Sequence, residues 1–289
     1  MSFLIKLLLS SLLLFGAFAL IVDFPYYPWK VTYPEHQWDR NVLKAEEFLL
    51  NNAHCKNIIL GSSMASKIDA SILGSDWCNL AFDGQSAYDG LDLLLLSELE
   101  PQIVLIEANV LERGANTFFL EKLRNPINSY LMQHFAIFKT KNKPTQYIRD
   151  PVKYQLISPL LRYWPEHQSG HSEKPVLKEQ ILISQRKYQS RALSKEEEER
   201  ITNLFADLVA LNDSKVLFFF MPSHESLCDL NWELELKRML AEKIGKENII
   251  DAPNCTEYKT SDAVHLDRES ALRFSGFLQS NLKTKSLSL

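Results

Sequence analysis

Three features that would assign a sequence to a class at once are missing from this one. It has no excess of basic residues, since 32 lysines and arginines stand against 36 aspartates and glutamates for a formal net charge of -4, which argues against nucleic acid as a partner. Its four cysteines contain no C-x-x-C pair, which argues against a zinc site. No internal repeat or low-complexity segment occurs. With 289 residues, 46% of them hydrophobic, the chain suits one sizeable domain or a domain with an insertion.

One long apolar run is present at the N-terminus. Residues 1–22 hold a single charge, Lys6, which the uncharged run Leu7–Val22 follows. Counting Phe3–Ile5 as well, the stretch is just long enough to cross a bilayer of roughly 30 Å at 1.5 Å per residue. Lys6 before the run and Asp23 after it favour a cytoplasmic N-terminus, with the rest of the chain periplasmic or extracellular. We therefore expect residues 1–22 to be a single-pass transmembrane anchor.

A cleaved signal peptide is the alternative, because Ala17-Phe18-Ala19 has the small-x-small form of a cleavage site. The apolar character continues to Val22, which favours the anchor. Residues 23–40 then form a juxtamembrane linker. Its aromatic residues suit a membrane–water interface, or else pack on the following domain: Phe24, Tyr26, Tyr27 and Trp29.

The four cysteines allow two disulfides in an oxidising compartment, in one of three pairings. We favour Cys228–Cys255, since each of these residues follows one of two adjacent predicted strands. Free buried thiols are the other interpretation.

Short apolar runs alternate with helical patterns through residues 41–289. The predicted strands are Ile58–Leu60, Trp77–Phe82, Ile103–Ile106, Val216–Met221 and Ile249–Ile250. The predicted helices are Asn41–Asn52, Tyr88–Leu99, Asn231–Ile244, Arg268–Leu282 and one that follows a capping-box signature at Ser194 and Glu197. Such alternation indicates an α/β domain with a parallel sheet covered on both faces. Ligands of such sheets bind at the carboxyl ends of the strands.

The stretch at about 114–193 does not fit the alternation. It is rich in aromatic residues and prolines and has scattered basic residues. We interpret it as a large insertion that forms a lid or a substrate surface, or alternatively as helical padding at the edge of the core.

Two short segments about two hundred residues apart contain the parts of a nucleophilic hydrolase. Gly61-Ser62-Ser63 follows the first strand, and Asp262-Ala263-Val264-His265 lies near the end of the sequence. His265 is a base for the Ser63 hydroxyl, and Asp262 is placed to orient the imidazole. Acyl transfer also needs hydrogen-bond donors for the developing oxyanion. The candidates are the backbone N–H groups of Ser63 and Gly84 and the side-chain amide of Asn109.

Each of these residues also has a purely structural interpretation. Gly61-Ser62-Ser63 would serve as a turn with a helix cap, and Asp262 would cap the final helix with His265 on its surface. Gly84 and Asn109 would be ordinary turn residues. Ser62 is an alternative nucleophile. His224, at another strand end, is a weak candidate for substrate binding or a plain loop histidine.

In this order, the four segments resemble the marker blocks of the SGNH (GDSL-type) hydrolase superfamily. Gly61-Ser62-Ser63 matches the first block, Gly84 the second, Asn109 the third and Asp262-x-x-His265 the last. The resemblance covers roughly Asn57–Asn109 and Val216–Leu282. It implies a flavodoxin-like, three-layer, doubly wound parallel sheet. It also implies a catalytic Ser63, Asp262 and His265, an oxyanion hole of Ser63, Gly84 and Asn109, and no metal or organic cofactor.

Two blocks depart from the commonest family pattern. Ser62 stands where the first block usually has aspartate, and Glu107-Ala108-Asn109-Val110 lacks the usual glycine and aspartate of the third. Such blocks resemble membrane-anchored envelope branches of the superfamily, including DltD-like proteins and the O-acetyltransferases of alginate and peptidoglycan.

The resemblance implies a serine esterase or O-acyltransferase that acts on acyl esters, with O-acetyl favoured, of an extracytoplasmic envelope polysaccharide or glycolipid. Transfer would imply a membrane-embedded acyl donor protein as a partner. The alternatives are a catalytically decayed glycan-binding or assembly protein, and a lipase-like enzyme whose insertion is a lid.

Overall fold

A five-stranded parallel sheet forms the centre of the fold. The computed structural model of the protein describes residues 3–23, 37–142, 179, 181–185, 191–209, 211, 214–228 and 230–286. The strands are β1 (Asn57–Leu60), β2 (Trp77–Asn79), β3 (Ile103–Glu107), β4 (Lys215–Phe219) and β5 (Ile249–Ile250). They lie in the order β2-β1-β3-β4-β5, and every neighbouring pair is parallel. The predicted α/β class with a parallel sheet is confirmed.

The principal helices in the described part of the chain include the five helices predicted after the N-terminal segment, together with several shorter ones. They are α1 (Phe3–Asp23), α2 (Gln37–Asn51), α3 (Ala70–Leu73), α4 (Ala87–Leu96), α5 (Glu121–Arg124), α6 (Pro126–His134), α7 (Lys195–Val209), α8 (Asn231–Ile244) and α9 (Arg268–Ser286). The predicted capping box precedes α7: the Ser194 N–H donates to Glu197 Oε2 at 2.9 Å, and the Glu197 N–H donates to Ser194 Oγ at 3.3 Å.

The chain divides into two compact units: Met1–Leu50 with Glu121–Gly170, and Asn51–Leu120 with His171–Leu289. The first unit contains α1, which is long and apolar enough to cross a membrane, a property that signal sequences share. In the same unit the buried carboxylate of Glu46, on α2, accepts hydrogen bonds from the Thr140 N–H and hydroxyl. The second unit contains the whole sheet.

The register of the sheet brings the segments that follow β1, β3 and β4, which contain Ser63, Asn109 and Ser223, to one edge. Leu60 lies opposite Ile106, and Glu107 lies opposite Phe219. Because β1, β3 and β4 are parallel and end together, the residues that follow them leave the sheet side by side. β1 is buried along its whole length, and β3 and β4 are buried except for the first one and the first two residues, as expected for continuous apolar runs with both faces covered.

Two strands are shorter than predicted, for identifiable reasons. β2 ends at Asn79 rather than Phe82, because the Asn79 side chain takes over the local hydrogen bonding: its Nδ2 donates to Ala65 O at 2.9 Å, and its Oδ1 accepts from Ala81 N at 2.9 Å. β4 ends at Phe219 rather than Met221, because Met221 pairs with a side chain instead of a strand.

Both disulfides lie in the sheet-bearing unit, and one of them joins the segment before β1 to β2. Cys228 pairs with Cys255 at a Cα–Cα distance of 6.5 Å, which confirms the predicted pairing, and Cys55 pairs with Cys78 at 5.6 Å. The predicted aromatic linker cluster, at residues 24–29, and most of the predicted insertion, at residues 143–178, lie outside the described residues.

An aromatic cluster joins α9 to one face of the sheet. Phe274 is 0% exposed, and its ring centroid lies 6.2 Å from that of Phe219, 6.2 Å from Tyr258 and 5.8 Å from Phe277. This packing fixes the helix that follows the His265 loop.

Replacing Phe274 with alanine should therefore be costly. Phe274→Ala removes a fully buried ring and leaves a cavity, so we expect the free energy of unfolding to fall by about 3–5 kcal/mol, measured by urea unfolding. Phe118→Ala, at a position that is 74% exposed, is the matched control and should change the value little. Equal losses in the two variants would contradict this account of the core.

Candidate active site

Three predicted site residues meet in a hydrogen-bonded row. His265 Nε2 lies 2.7 Å from Ser63 Oγ, and His265 Nδ1 lies 2.7 Å from Asp262 Oδ2. Ser63 and His265 are 202 residues apart in sequence, so only the fold brings them together. The row has the hydroxyl, imidazole and carboxylate in the order that general-base activation of a nucleophile requires.

A tight local turn builds the acidic end of this row. Asp262 Oδ1 accepts the backbone N–H of His265 at 2.9 Å, while Oδ2 faces the ring of the same residue. Ala263, between them, has a left-handed φ of 77°. The Asp267 carboxylate caps α9 instead, accepting the Ser270 N–H at 2.8 Å. Asp262 thus orients both the backbone and the imidazole of His265.

The charge of Asp262 is stabilised by the same contacts. Partial burial acts to raise its pKa, but the hydrogen bonds from the backbone and ring of His265 outweigh burial and hold the pKa below its ordinary value. The carboxylate therefore stays ionised at neutral pH, where it fixes the ring tautomer and stabilises an imidazolium.

Ser63, the predicted nucleophile, lies on a turn that is hydrogen-bonded to the end of β3. Glu107, the last residue of β3, is 0% exposed. Its Oε2 accepts the Ser62 N–H at 2.7 Å and the Ala65 N–H at 3.2 Å, and the Ser62 hydroxyl donates to it at 3.0 Å. Burial raises the pKa of Glu107, and the donors of Ser62 and Ala65 oppose that rise.

Gly61 makes this close approach feasible. A Cβ at position 61 would lie 2.6 Å from Glu107 Oε2 and 2.6 Å from Ala65 Cβ, closer than packed atoms come. The glycine of the first block therefore leaves room for the buried carboxylate, a role that the sequence alone did not reveal.

Two of the three predicted oxyanion donors have no acceptor within the described part of the chain. These are the N–H groups of Ser63 and Gly84. Gly84 has a left-handed φ of 69°, which only glycine adopts readily. Its loop is joined to the nucleophile turn through Ser66, whose Oγ lies 2.6 Å from Asp83 Oδ1 and 2.9 Å from Ser63 O.

The third predicted donor, Asn109, is partly occupied. Its Nδ2 donates to Met221 O at 3.0 Å, and its Oδ1 accepts Met221 N at 2.7 Å, so the side chain continues the pairing of β3 with β4. An amide nitrogen carries two hydrogens, which leaves one for a ligand. Asn109 also lines the cavity that contains Ser63 and His265.

That cavity has a volume of about 190 Å³ and mixed walls. Met64, Val110, Trp232 and Val264 contribute apolar surface beside the reactive hydroxyl, and Arg113 contributes a cation. The space and its apolar lining suit a short acyl group held next to Ser63.

His224, the weak candidate for substrate binding, is engaged locally. Its ring Nδ1 accepts the Ser226 N–H at 3.2 Å, and its backbone N–H donates to Ala263 O at 2.8 Å. Its neighbour Ser223 lines the cavity. The visible role of His224 is to join the loop after β4 to the loop of His265.

A group of metal-ligand side chains in the described residues consists of His54, Cys55 and Cys78. The two sulfurs form a disulfide and are not thiolates, the form in which cysteine ligates metals.

Comparison with protein-family models, curated proteins and solved structures gives no match. The assignment of this site therefore depends on its geometry. The sequence patterns did not single out Glu107, whose carboxylate bonds to the turn of Ser63. The available signal was an acidic side chain at the end of an otherwise apolar strand.

The lowered pKa of Asp262 has a definite consequence for stability. The folded state binds this proton less tightly than the unfolded state, so the contribution of Asp262 is present above its ordinary pKa of about 4 and is lost as the pH falls through the lowered folded value. We expect the difference in unfolding free energy between the native sequence and Asp262→Asn to be largest above about pH 4 and to shrink below it. Denaturant unfolding from pH 7 to pH 2.5 measures this, and a gap that is constant with pH would contradict it.

Proposed function

We propose that the protein is a serine esterase or O-acyltransferase of the SGNH type. The observation that carries the proposal is the pair of 2.7 Å contacts from His265 to Ser63 and Asp262. A decayed binding protein is the alternative. An assembled row of this geometry favours the enzyme, since loss of catalysis removes the need to hold a hydroxyl against an imidazole.

The reaction begins at Ser63. His265 Nε2 takes the hydroxyl proton as Ser63 Oγ bonds to the ester carbonyl carbon, and Asp262 stabilises the resulting imidazolium. The N–H groups of Ser63 and Gly84, with the remaining N–H of Asn109, hold the oxyanion. His265 then gives the proton to the leaving alkoxide, so that an acyl-Ser63 ester and a free alcohol form.

The second half of the reaction regenerates the enzyme. Water or an acceptor hydroxyl attacks the acyl carbon and loses its proton to His265, which passes that proton to Ser63 Oγ as it departs. Every proton transfer uses a side chain of this row, so the scheme requires no metal and no organic cofactor.

The fold supports the family assignment at a finer level. The order β2-β1-β3-β4-β5 is the flavodoxin-like order, in which ligands bind at the carboxyl edge near the point where the strand order reverses. A three-layer, doubly wound domain built on this sheet would account for that order. The predicted insertion at 114–193 contributes Ser184 to the wall of the cavity, as a substrate surface would.

The same proposal places the catalytic domain outside the cytoplasm. α1 would be a single-pass membrane anchor with a cytoplasmic N-terminus, and two disulfides suit an oxidising periplasm or cell exterior. The substrate would then be an acylated envelope polysaccharide or glycolipid. The small cavity favours acetyl over long acyl chains, against the lipase-like alternative.

Ser63→Ala should lower kcat for p-nitrophenyl acetate by at least about 10⁴-fold, because no other hydroxyl bonds to the imidazole of His265 in the described residues. Ser71→Ala, an exposed serine, is the matched control. A fluorophosphonate probe should label Ser63, and the label should disappear in His265→Ala. Full activity of Ser63→Ala, or labelling at Ser62 instead, would refute the assignment.

A specific feature favours transfer over hydrolysis. A second cavity of about 320 Å³ borders the first, and the two share Ser223 and Glu233 in their walls. It lies between the loops that follow β4 and β5, and Glu225, Lys237, Asn254 and Thr256 give it charged, amide and hydroxyl groups. Such a lining suits a polyhydroxyl acceptor, and a membrane-embedded protein would then supply the acyl group.

Transfer predicts an acetylated sugar as a product. With p-nitrophenyl acetate and a neutral glucose or N-acetylglucosamine tetramer, mass spectrometry should find acetylated sugar in proportion to p-nitrophenol released. Thr256→Trp, which fills the second cavity, should lower that ratio about tenfold, whereas the exposed control Glu257→Trp should not. Release of acetate alone would identify a hydrolase.

A further inference from the structure

The buried carboxylate of Glu107 takes no part in the acyl chemistry, yet it is bonded to the turn that carries the nucleophile. We infer that Glu107 is a positioning residue, which aims the Ser63 hydroxyl at His265 and keeps the Ser63 N–H available for the oxyanion. The inference rests on the proposed role of Ser63 as the nucleophile.

The hydrogen bonds of the turn show why the Ser63 N–H stays available while its neighbours are occupied. The N–H groups of Ser62 and Ala65 both donate to Glu107 Oε2. The Met64 N–H donates to Ser62 Oγ at 3.2 Å, and the hydroxyl hydrogen of Ser62 in turn points to the carboxylate. The Ser66 N–H donates to Ser62 O at 2.9 Å. Among these successive donors only Ser63 N–H lacks an acceptor in the described residues.

The carboxylate is held in place by the sheet itself. Glu107 pairs with Phe219 at the end of β3, and the next residue, Ala108, donates its N–H to Phe219 O at 2.9 Å. Gly61 leaves no side chain between the turn and the carboxylate. The position of the turn is therefore fixed by two central strands, β3 and β4.

Burying a carboxylate costs free energy unless hydrogen bonds compensate for the lost hydration. Three donor hydrogens converge on Glu107, from Ser62 N–H, Ser62 O–H and Ala65 N–H. An apolar residue would fill the space but would leave two buried N–H groups of the nucleophile turn without acceptors. The turn would then be free to rotate Ser63 away from His265.

A buried carboxylate elsewhere in the chain provides a control for the loss of burial and hydrogen bonding. Glu46 is 4% exposed and accepts the Thr140 N–H and hydroxyl, in the unit that does not contain Ser63. Glu46→Ala removes a comparable set of hydrogen bonds without touching the nucleophile turn.

The test compares Glu107→Ala, Glu107→Gln and Glu46→Ala in the full chain, purified in detergent. For each variant we would measure kcat and KM for p-nitrophenyl acetate, the rate of fluorophosphonate labelling at Ser63, and the melting temperature. We expect Glu107→Ala to lower kcat and the labelling rate on the order of 100-fold, with KM within about twofold, because the hydroxyl is misplaced while the cavity remains. Glu107→Gln should recover most of the loss, since its amide oxygen can accept from Ser62 and Ala65 while its nitrogen donates to Ser62 Oγ.

Glu46→Ala should lower the melting temperature and leave the labelling rate unchanged. The inference is overturned if Glu107→Ala labels at the native rate, or if Glu46→Ala slows labelling as much. Should Glu107→Ala fail to fold, Ser62→Ala removes the hydroxyl that joins Met64 to the carboxylate without emptying the buried site. A native kcat in Ser62→Ala would overturn the inference. Failure of the native protein to label at Ser63 would instead refute the proposed nucleophile, and the role of Glu107 with it.

Discussion

The parallel pairing of β1 with β3, and of β3 with β4, determines where each group of the candidate site lies. Side chains alternate between the two faces of a sheet, so a slip of one residue would turn Glu107 to the opposite face. The N–H groups of Ser62 and Ala65 would then lose their buried acceptor. The same slip would separate Asn109 from Met221. The Asn109 side-chain amide now donates to the backbone carbonyl of Met221 and accepts its backbone N–H.

The position of His265 depends on a second set of connections. Within its loop, the Asp262 carboxylate accepts the His265 backbone N–H. A second hydrogen bond, from His224 N–H to Ala263 O, ties the loop to the segment after β4. The segment containing His224 is in turn linked through Cys228 to Cys255. Since His224 lies four residues before the disulfide, the covalent link and the hydrogen bond together restrict the loop that presents the imidazole. His265 and Ser63 are thus positioned by separate parts of the sheet edge.

Sequence patterns predicted the parts of the fold that depend on local order. Continuous apolar runs identified all five strands of the sheet, and the three-residue spacing of Asp262 and His265 anticipated a contact made within one turn. The ends of β2 and β4 were wrong because Asn79 and Asn109 replace strand hydrogen bonds with side-chain bonds across the fold. The contact of Glu107 with Ser62 likewise follows from the register of two strands that are distant in sequence, which periodicity does not encode.

The long sequence interval between Ser63 and His265 has a consequence for biosynthesis. A ribosome adds roughly 5–20 residues per second, so the 202 residues that separate the two take about 10–40 s to make. Throughout that interval the nascent chain carries Ser63 without His265, the base that the proposed mechanism requires. On the proposed mechanism, Ser63 becomes a nucleophile only when β5 and the loop that carries His265 have docked beside it. The order of synthesis would thus protect a growing polypeptide from the nucleophile that we propose.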